Sequence, residues 1–315
     1  MVKKILVKIF SEKKHIESHT VNRMITRLFL GLRRCELSRS LSTTSSLLTS
    51  KHSRFLDLVK GQGESGHILL RDVDTGIKEI VISNSSKKNS ITGSMMNSLA
   101  NIVDKLENEA DDTVLLLLRG EGDTFCSGAD LNLVRNIVND SEKGNLMSKF
   151  MTDTLNRIRN LPLISICLIN GHAIGGGAEL STVGDYRVMC NDAYISFVQA
   201  KLGASTGWGG GFRLTKIVGR KEALKLLATS TKLMSADATR IGLVDHLCSS
   251  RDLLVSDALQ HFQPYLVNFP KSVCALKTVV TAADSSLHYD GICDIETEQF
   301  RLRWGSDDNK KAIKK

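Results

Sequence analysis

Hydrophobic and polar positions alternate along the chain with two different periods. The run Lys78-Glu-Ile-Val-Ile-Ser83 reads as a strand, and Gly93 to Glu109 as a helix, because Leu99, Ile102, Val103 and Leu106 recur at helical spacing. Thr113 to Leu118 and Leu163 to Ile169 are almost continuously apolar, as expected of strands buried on both faces of a parallel sheet. Met147, Phe150, Met151, Leu155 and Ile158 mark a further helical face. Tyr186 to Met189 and Tyr194 to Phe197 read as shorter strands, and beyond Trp208 nearly everything reads as helix. Pro162, Pro264 and Pro270 fall at expected element boundaries. Strands alternating with helices, then a helical tail, predict an α/β core over 67–250 and a C-terminal helical region over 251–315. No internal repeat is visible in the sequence.

Residues 1–66 break this pattern. Met24 to Cys35 is basic and apolar, and a Ser/Thr-rich stretch runs from Ser38 to Ser50. Arg-rich, Ser-rich, acid-poor composition suits a mitochondrial transit peptide, or equally a basic tail without an address. Glu12 and Glu17 count against targeting, and a reporter fused to 1–66 distinguishes the two. The segment is set apart from the fold as a leader.

Charge is concentrated in that leader. Residues 1–60 hold thirteen Lys or Arg against four Asp or Glu, whereas the whole chain is +8, so the body is near neutral. A nucleic-acid surface on the body would need a basic patch of its own, so no nucleic-acid partner is expected. The seven cysteines, Cys35, Cys126, Cys167, Cys190, Cys248, Cys274 and Cys293, include no C-x-x-C pair. That pattern fits free thiols in a reducing compartment and offers no zinc spacing, so no metal is expected. No apolar run reaches the roughly 18–20 residues that span a bilayer, so no membrane partner is expected either.

Two glycine turns carry the chemistry. Phe125-Cys-Ser-Gly-Ala-Asp-Leu131 follows the strand at 113–118, and Asn170-Gly-His-Ala-Ile-Gly-Gly-Gly-Ala-Glu-Leu180 follows the strand at 163–169. Each reads as strand end, glycine turn, helix start. The first N–H groups of a helix have no internal partner and carry partial positive charge. Glycine lets a ligand oxygen approach them closely. Two such turns side by side would offer two donors to one oxygen, the arrangement of an oxyanion hole. One glycine turn alone carries little, and neither segment matches a dinucleotide fingerprint or a phosphate loop. His172, just before the second turn, is read as structural.

These segments resemble the crotonase superfamily, the enoyl-CoA hydratase/isomerase fold, from about Gly66 to the C-terminus. The resemblance extends to Asn84 to Ser90, Gly207 to Leu214 and Ala236 to Val244. It implies a spiral of βα repeats with a C-terminal helical region, assembled as homotrimers or dimers of trimers. It also implies an acyl-CoA thioester as partner, with oxyanion donors at the N–H groups of Ala129 and Gly176. Asn84, Lys87, Lys88 and the segment Ala129, Asp130, Leu131 would lie along the CoA, although either lysine could simply be a solvated turn residue. Trp208 would shape the acyl pocket, or else pack as a core aromatic.

Hydratases of the superfamily use two glutamates. By the resemblance Glu179 stands at the first position, but Gln199 stands at the second. An amide cannot exchange a proton as a carboxyl does, which disfavours hydration. Loss of CO2 from a malonyl-type thioester needs no base, only an oxyanion hole and a later proton. Gln199 could donate to the leaving carboxylate, and a partly desolvated Glu179, held protonated, could supply the proton. Phe150 to Ser165, Gly175 to Glu179, Trp208-Gly-Gly and Trp304-Gly305 resemble superfamily members that decarboxylate short branched malonyl-type thioesters. The chain departs from them at Gly207, where serine is typical, and at Gln199, where histidine is typical. That branch implies no metal or redox cofactor, metabolite repair in fatty acid metabolism, and a cytosolic location. A hydratase or isomerase using Glu179 alone, and a noncatalytic CoA- or RNA-binding protein on the same scaffold, remain the alternatives.

Overall fold

The computed structural model describes residues 54–59, 65–108 and 112–314. Most of the sequence-defined leader therefore lies outside the described residues. The packed body nevertheless begins before residue 66. Residues 54–59 form a helical segment, and Phe55 and Val59 enter the core, with the Phe55 ring 4.7 Å from that of Phe150.

Two sheets organise the body. The larger contains β1 (His67–Asp74), β2 (Ile77–Ser83), β3 (Leu115–Gly120), β5 (Ile164–Ile169), β7 (Tyr186–Cys190) and β10 (His246–Cys248), in that order. Only the β1–β2 hairpin is antiparallel. The smaller sheet contains β4 (Thr124–Cys126), β6 (His172–Ile174), β8 (Tyr194–Ser196) and β9 (Leu233–Met234). β4, β6 and β8 run parallel, and β9 closes the edge antiparallel.

The chain climbs by repeating one move. A long strand of the first sheet makes a short turn into a three-residue strand of the second, as in β3 to β4, β5 to β6 and β7 to β8. The expected βα spiral is thus present with two strands per turn. It leaves no repeat in the sequence because the small-sheet strands are too short to carry a period.

The runs that read as doubly buried strands are so: every residue of β5 is buried, as are the four leucines of β3. Helices α1 (Gly93–Asn108) and α3 (Ser141–Asn160) pack against one another, and α1 also covers β1. α2 (Leu131–Ile137) and α4 (Gly176–Ser181) are short. α5 (Gly210–Thr229) breaks at Gly219, and α6 (Ser235–Arg240) follows β9. The C-terminal region comprises α7 (Leu254–Phe262), α8 (Pro270–Ala283), α9 (Tyr289–Arg303) and α10 (Asp307–Ile313). Lys277 pins α8 to the sheet through Asp185, whose carboxylate also accepts from the Ser165 N–H at 2.8 Å. The stretch beyond Trp208 departs from the helical expectation at β9 and β10, two and three residues long.

Candidate active site

The small sheet explains why the two glycine turns meet. β4 and β6 are parallel neighbours, with Cys126 opposite Ala173, so the segments leaving their C-terminal ends emerge side by side. Ala129 forms a parallel bridge with Ile91. The Ile91 N–H donates to the Gly128 carbonyl at 2.8 Å, and the Asp130 N–H to the Ile91 carbonyl at 2.9 Å. In a parallel bridge the flanking residues make the bonds, so the N–H of Ala129 itself points away from Ile91. Gly128 takes φ +95°, and a methyl group on it would sit 2.9 Å from the Gly176 nitrogen. Only glycine lets the two backbones approach so closely. Gly176 is the first residue of α4, where its N–H has no carbonyl one turn back to receive it. Ala129 and Gly176 are both half-buried.

Loop 84–90 lies against the first turn. The Lys88 carbonyl accepts from the Ser127 N–H at 3.1 Å, and Lys87 Nζ lies 3.2 Å from Asp130 Oδ2. Asp130 Oδ1 caps α2, accepting from the N–H groups of Asn132 at 2.9 Å and Leu133 at 3.3 Å. A cap of this kind contributes about 0.5–2 kcal/mol. Burial alone would raise the Asp130 carboxyl, but the Leu133 N–H, Lys87 and the Asn132 N–H outweigh it and hold it below the usual carboxylate range.

Lys87, Lys88, Ala129, Asp130 and Leu131 are thus brought together. Lys88 is exposed, and Leu131 is 62% exposed at the start of α2. Asn84 is buried at the start of the loop. Its side-chain amide donates to the Ser90 carbonyl at 2.8 Å, and its N–H to Asn89 Oδ1 at 2.9 Å. A buried amide has to satisfy its own donors, and Asn84 does so by holding the loop closed. Asn89, the second asparagine of the Asn84 to Ser90 segment, ties that loop to β4 through the Thr124 carbonyl at 2.6 Å.

Glu179 is 2% exposed, in the first turn of α4. Its Oε1 accepts from Gln199 Nε2 at 2.8 Å and the Gly207 N–H at 3.1 Å. Its Oε2 accepts from the N–H groups of Trp208 at 2.8 Å and Gly210 at 2.9 Å. All four partners are donors, so both carboxyl oxygens act as acceptors.

The countercharge is Arg213, which sequence reading passed over. It is fully buried on α5, and its guanidinium donates to the carbonyls of Trp208 at 2.7 Å and Glu179 at 3.1 Å. It also reaches Thr182 Oγ1 at 3.0 Å and Asn156 Oδ1 at 3.3 Å. Burial pulls Arg213 down to about 10, while the Glu179 charge acts the other way, so it remains a cation at neutral pH. A signal was available: Arg213 lies between Gly210 and Leu214 on the buried stripe of α5, where a charge needs a partner.

Trp208 is 3% exposed, and its six-membered ring packs on Gly176; a methyl group on Gly176 would sit 2.7 Å from that ring. Gln199 Oε1 is buried without a partner among the described residues. His172 stacks on Tyr194 at 4.1 Å, and burial lowers its pKa.

The fold and these paired turns define an acyl-CoA enzyme scaffold, and residues 72–315 match the enoyl-CoA hydratase/isomerase family. The chain belongs to that crotonase family. Among its relatives, the Xenopus laevis protein named ethylmalonyl-CoA decarboxylase is 38% identical over 81% of this chain and 84% of its own. The Homo sapiens protein of the same name is 36% identical over 87% of this chain and 90% of its own. With relatives of that identity over most of its length, the chain is classed with the carboxy-lyases of the family. Among solved structures, a Bacillus anthracis enoyl-CoA hydratase superposes with a TM-score of 0.71 at 24% identity, covering 79% of this chain and 95% of its own.

Proposed function

We propose that the protein decarboxylates short branched malonyl-type acyl-CoA thioesters, ethylmalonyl-CoA to butyryl-CoA and methylmalonyl-CoA to propionyl-CoA. The observation that carries this is the close approach of the two glycine turns, at Gly128 and Gly176, beside a Glu179 carboxyl whose four partners are all donors. The bond between the α-carbon and the carboxylate breaks, CO2 leaves, and the electron pair passes into the thioester carbonyl. The two N–H groups receive the resulting enolate oxygen, a contribution of about 2.7–4 kcal/mol per donor in such sites. One N–H of the Gln199 amide is held by Glu179, and the other is available to the departing carboxylate. Protonation of the α-carbon by solvent completes the reaction, with no metal or redox cofactor taking part. Lys87, Lys88 and Leu131 lie along the CoA, and the reaction suits repair of carboxylated side products.

Purified protein incubated with ethylmalonyl-CoA, methylmalonyl-CoA and crotonyl-CoA is expected to lose CO2 from the first two and to leave the third unhydrated. Mass analysis of the thioesters reads all three. Hydration of crotonyl-CoA would favour the hydratase alternative, and no product from any of them a noncatalytic CoA-binding role.

We also propose a homotrimer or a dimer of trimers. Leu276 and Val280 on α8, with the stacked Phe300 and Trp304 at the end of α9, expose apolar area suited to a second copy. Light scattering is expected to give three or six chains of 34.6 kDa, and a monomer at micromolar concentration would refute it.

A further inference from the structure

In the enzymatic reading of this fold the buried glutamate is a proton-transfer group. The contacts around Glu179 assign it different work. Its four donors include three main-chain N–H groups, from Gly207, Trp208 and Gly210, all within one turn. That turn is held from its other side as well. Ser148 Oγ donates to the Gly207 carbonyl at 2.6 Å and Thr152 Oγ1 at 3.2 Å, while Arg213 holds the Trp208 carbonyl at 2.7 Å. Both ends of the Trp208 main chain are therefore fixed, and the indole lies so close to Gly176 that no Cβ fits between them.

We infer that Glu179 is a positioning residue: its carboxylate fixes the 207–210 turn, the turn fixes the Trp208 indole, and the indole fixes Gly176 and its N–H. This rests on the decarboxylase reading for its kinetic consequence, though not for the contacts themselves. Trp208 then acts as a brace behind the oxyanion hole rather than as a wall of the acyl pocket, in keeping with its burial. The same contacts explain why Gln199 can replace an acid. Its Nε2 completes the cradle around Glu179, a donor's place that a carboxylate could fill only when protonated.

A double-mutant cycle tests the chain of contacts. Glu179→Gln puts an NH2 among N–H donors, and Trp208→Ala removes the brace. Each is expected to lower kcat by on the order of 10²-fold with a small change in KM, as for a misplaced catalytic group. Because both act on Gly176, the double variant is expected to be no slower than the worse single variant. Multiplied losses, or a limb in the wild-type pH–rate profile that Glu179→Gln removes, would overturn the inference in favour of proton transfer. A second arm does not depend on activity. The chain has two tryptophans, so in a Trp304→Phe background emission reports Trp208 alone. Glu179→Gln is expected to shift that emission, and an unchanged spectrum would overturn the inference even if no thioester is decarboxylated. If Glu179→Gln does not fold, Trp208→Phe carries the kinetic arm: a fall in kcat at constant KM supports the brace, and unchanged kcat refutes it.

Discussion

Gly176→Ala is expected to lower kcat for decarboxylation by about 10²- to 10³-fold, the effect of losing one oxyanion donor. The new methyl group would lie 2.7–3.0 Å from three carbons of the Trp208 ring. The ring has little freedom to retreat, because the Trp208 N–H and carbonyl are both bonded, to Glu179 and Arg213. The backbone of Gly176 is the part that must move, and its N–H moves with it. CoA affinity should change little, since the loop bearing Lys87 and Lys88 meets the other turn, at Ser127 and Asp130. Steady-state kinetics with ethylmalonyl-CoA, beside a binding constant for free CoA, separates the two effects. A variant that keeps full kcat would remove Gly176 from the mechanism.

The largest expected effect on stability is at Arg213. Leaving buried acceptors without their donor typically costs about 1–3 kcal/mol. Arg213→Met keeps the volume of the side chain but removes a buried positive charge near Glu179 and the donor to the Trp208 carbonyl, Thr182 Oγ1 and Asn156 Oδ1, while the Glu179 carbonyl keeps Thr182 as donor. Urea unfolding should show a loss of that size. Arg213→Lys should fall between the two, since an ammonium keeps the charge but cannot span four acceptors spread around a planar fork. A loss below about 1 kcal/mol for Arg213→Met would mean that the four N–H donors alone compensate the Glu179 charge.

Legibility from sequence followed the length of each element. β3 and β5 announced themselves as apolar runs, although β3 runs from Leu115 to Gly120, two residues beyond the expected Thr113 to Leu118. α1 was legible because its buried residues recur over four turns. β1 was missed because it is an edge strand, polar and half exposed, with the sequence HILLRDVD. β4, β6 and β9 were illegible because two or three residues establish no alternation. Yet β4 and β6 set the two glycine turns side by side. The turns themselves could be read because glycine is informative where backbones crowd. The Glu179 cradle could not, since three of its four donors are main-chain N–H groups, which any residue but proline supplies.

Donors belonging to the main chain cannot be deleted by exchanging a side chain; they can only be displaced by bulk added at positions such as Gly128 and Gly176. Gly207 is different, because a methyl group there would meet nothing closer than 3.8 Å. The side chain at 207 can therefore vary beside Ser148 while the N–H groups of the Glu179 cradle and of the two glycine turns keep their places.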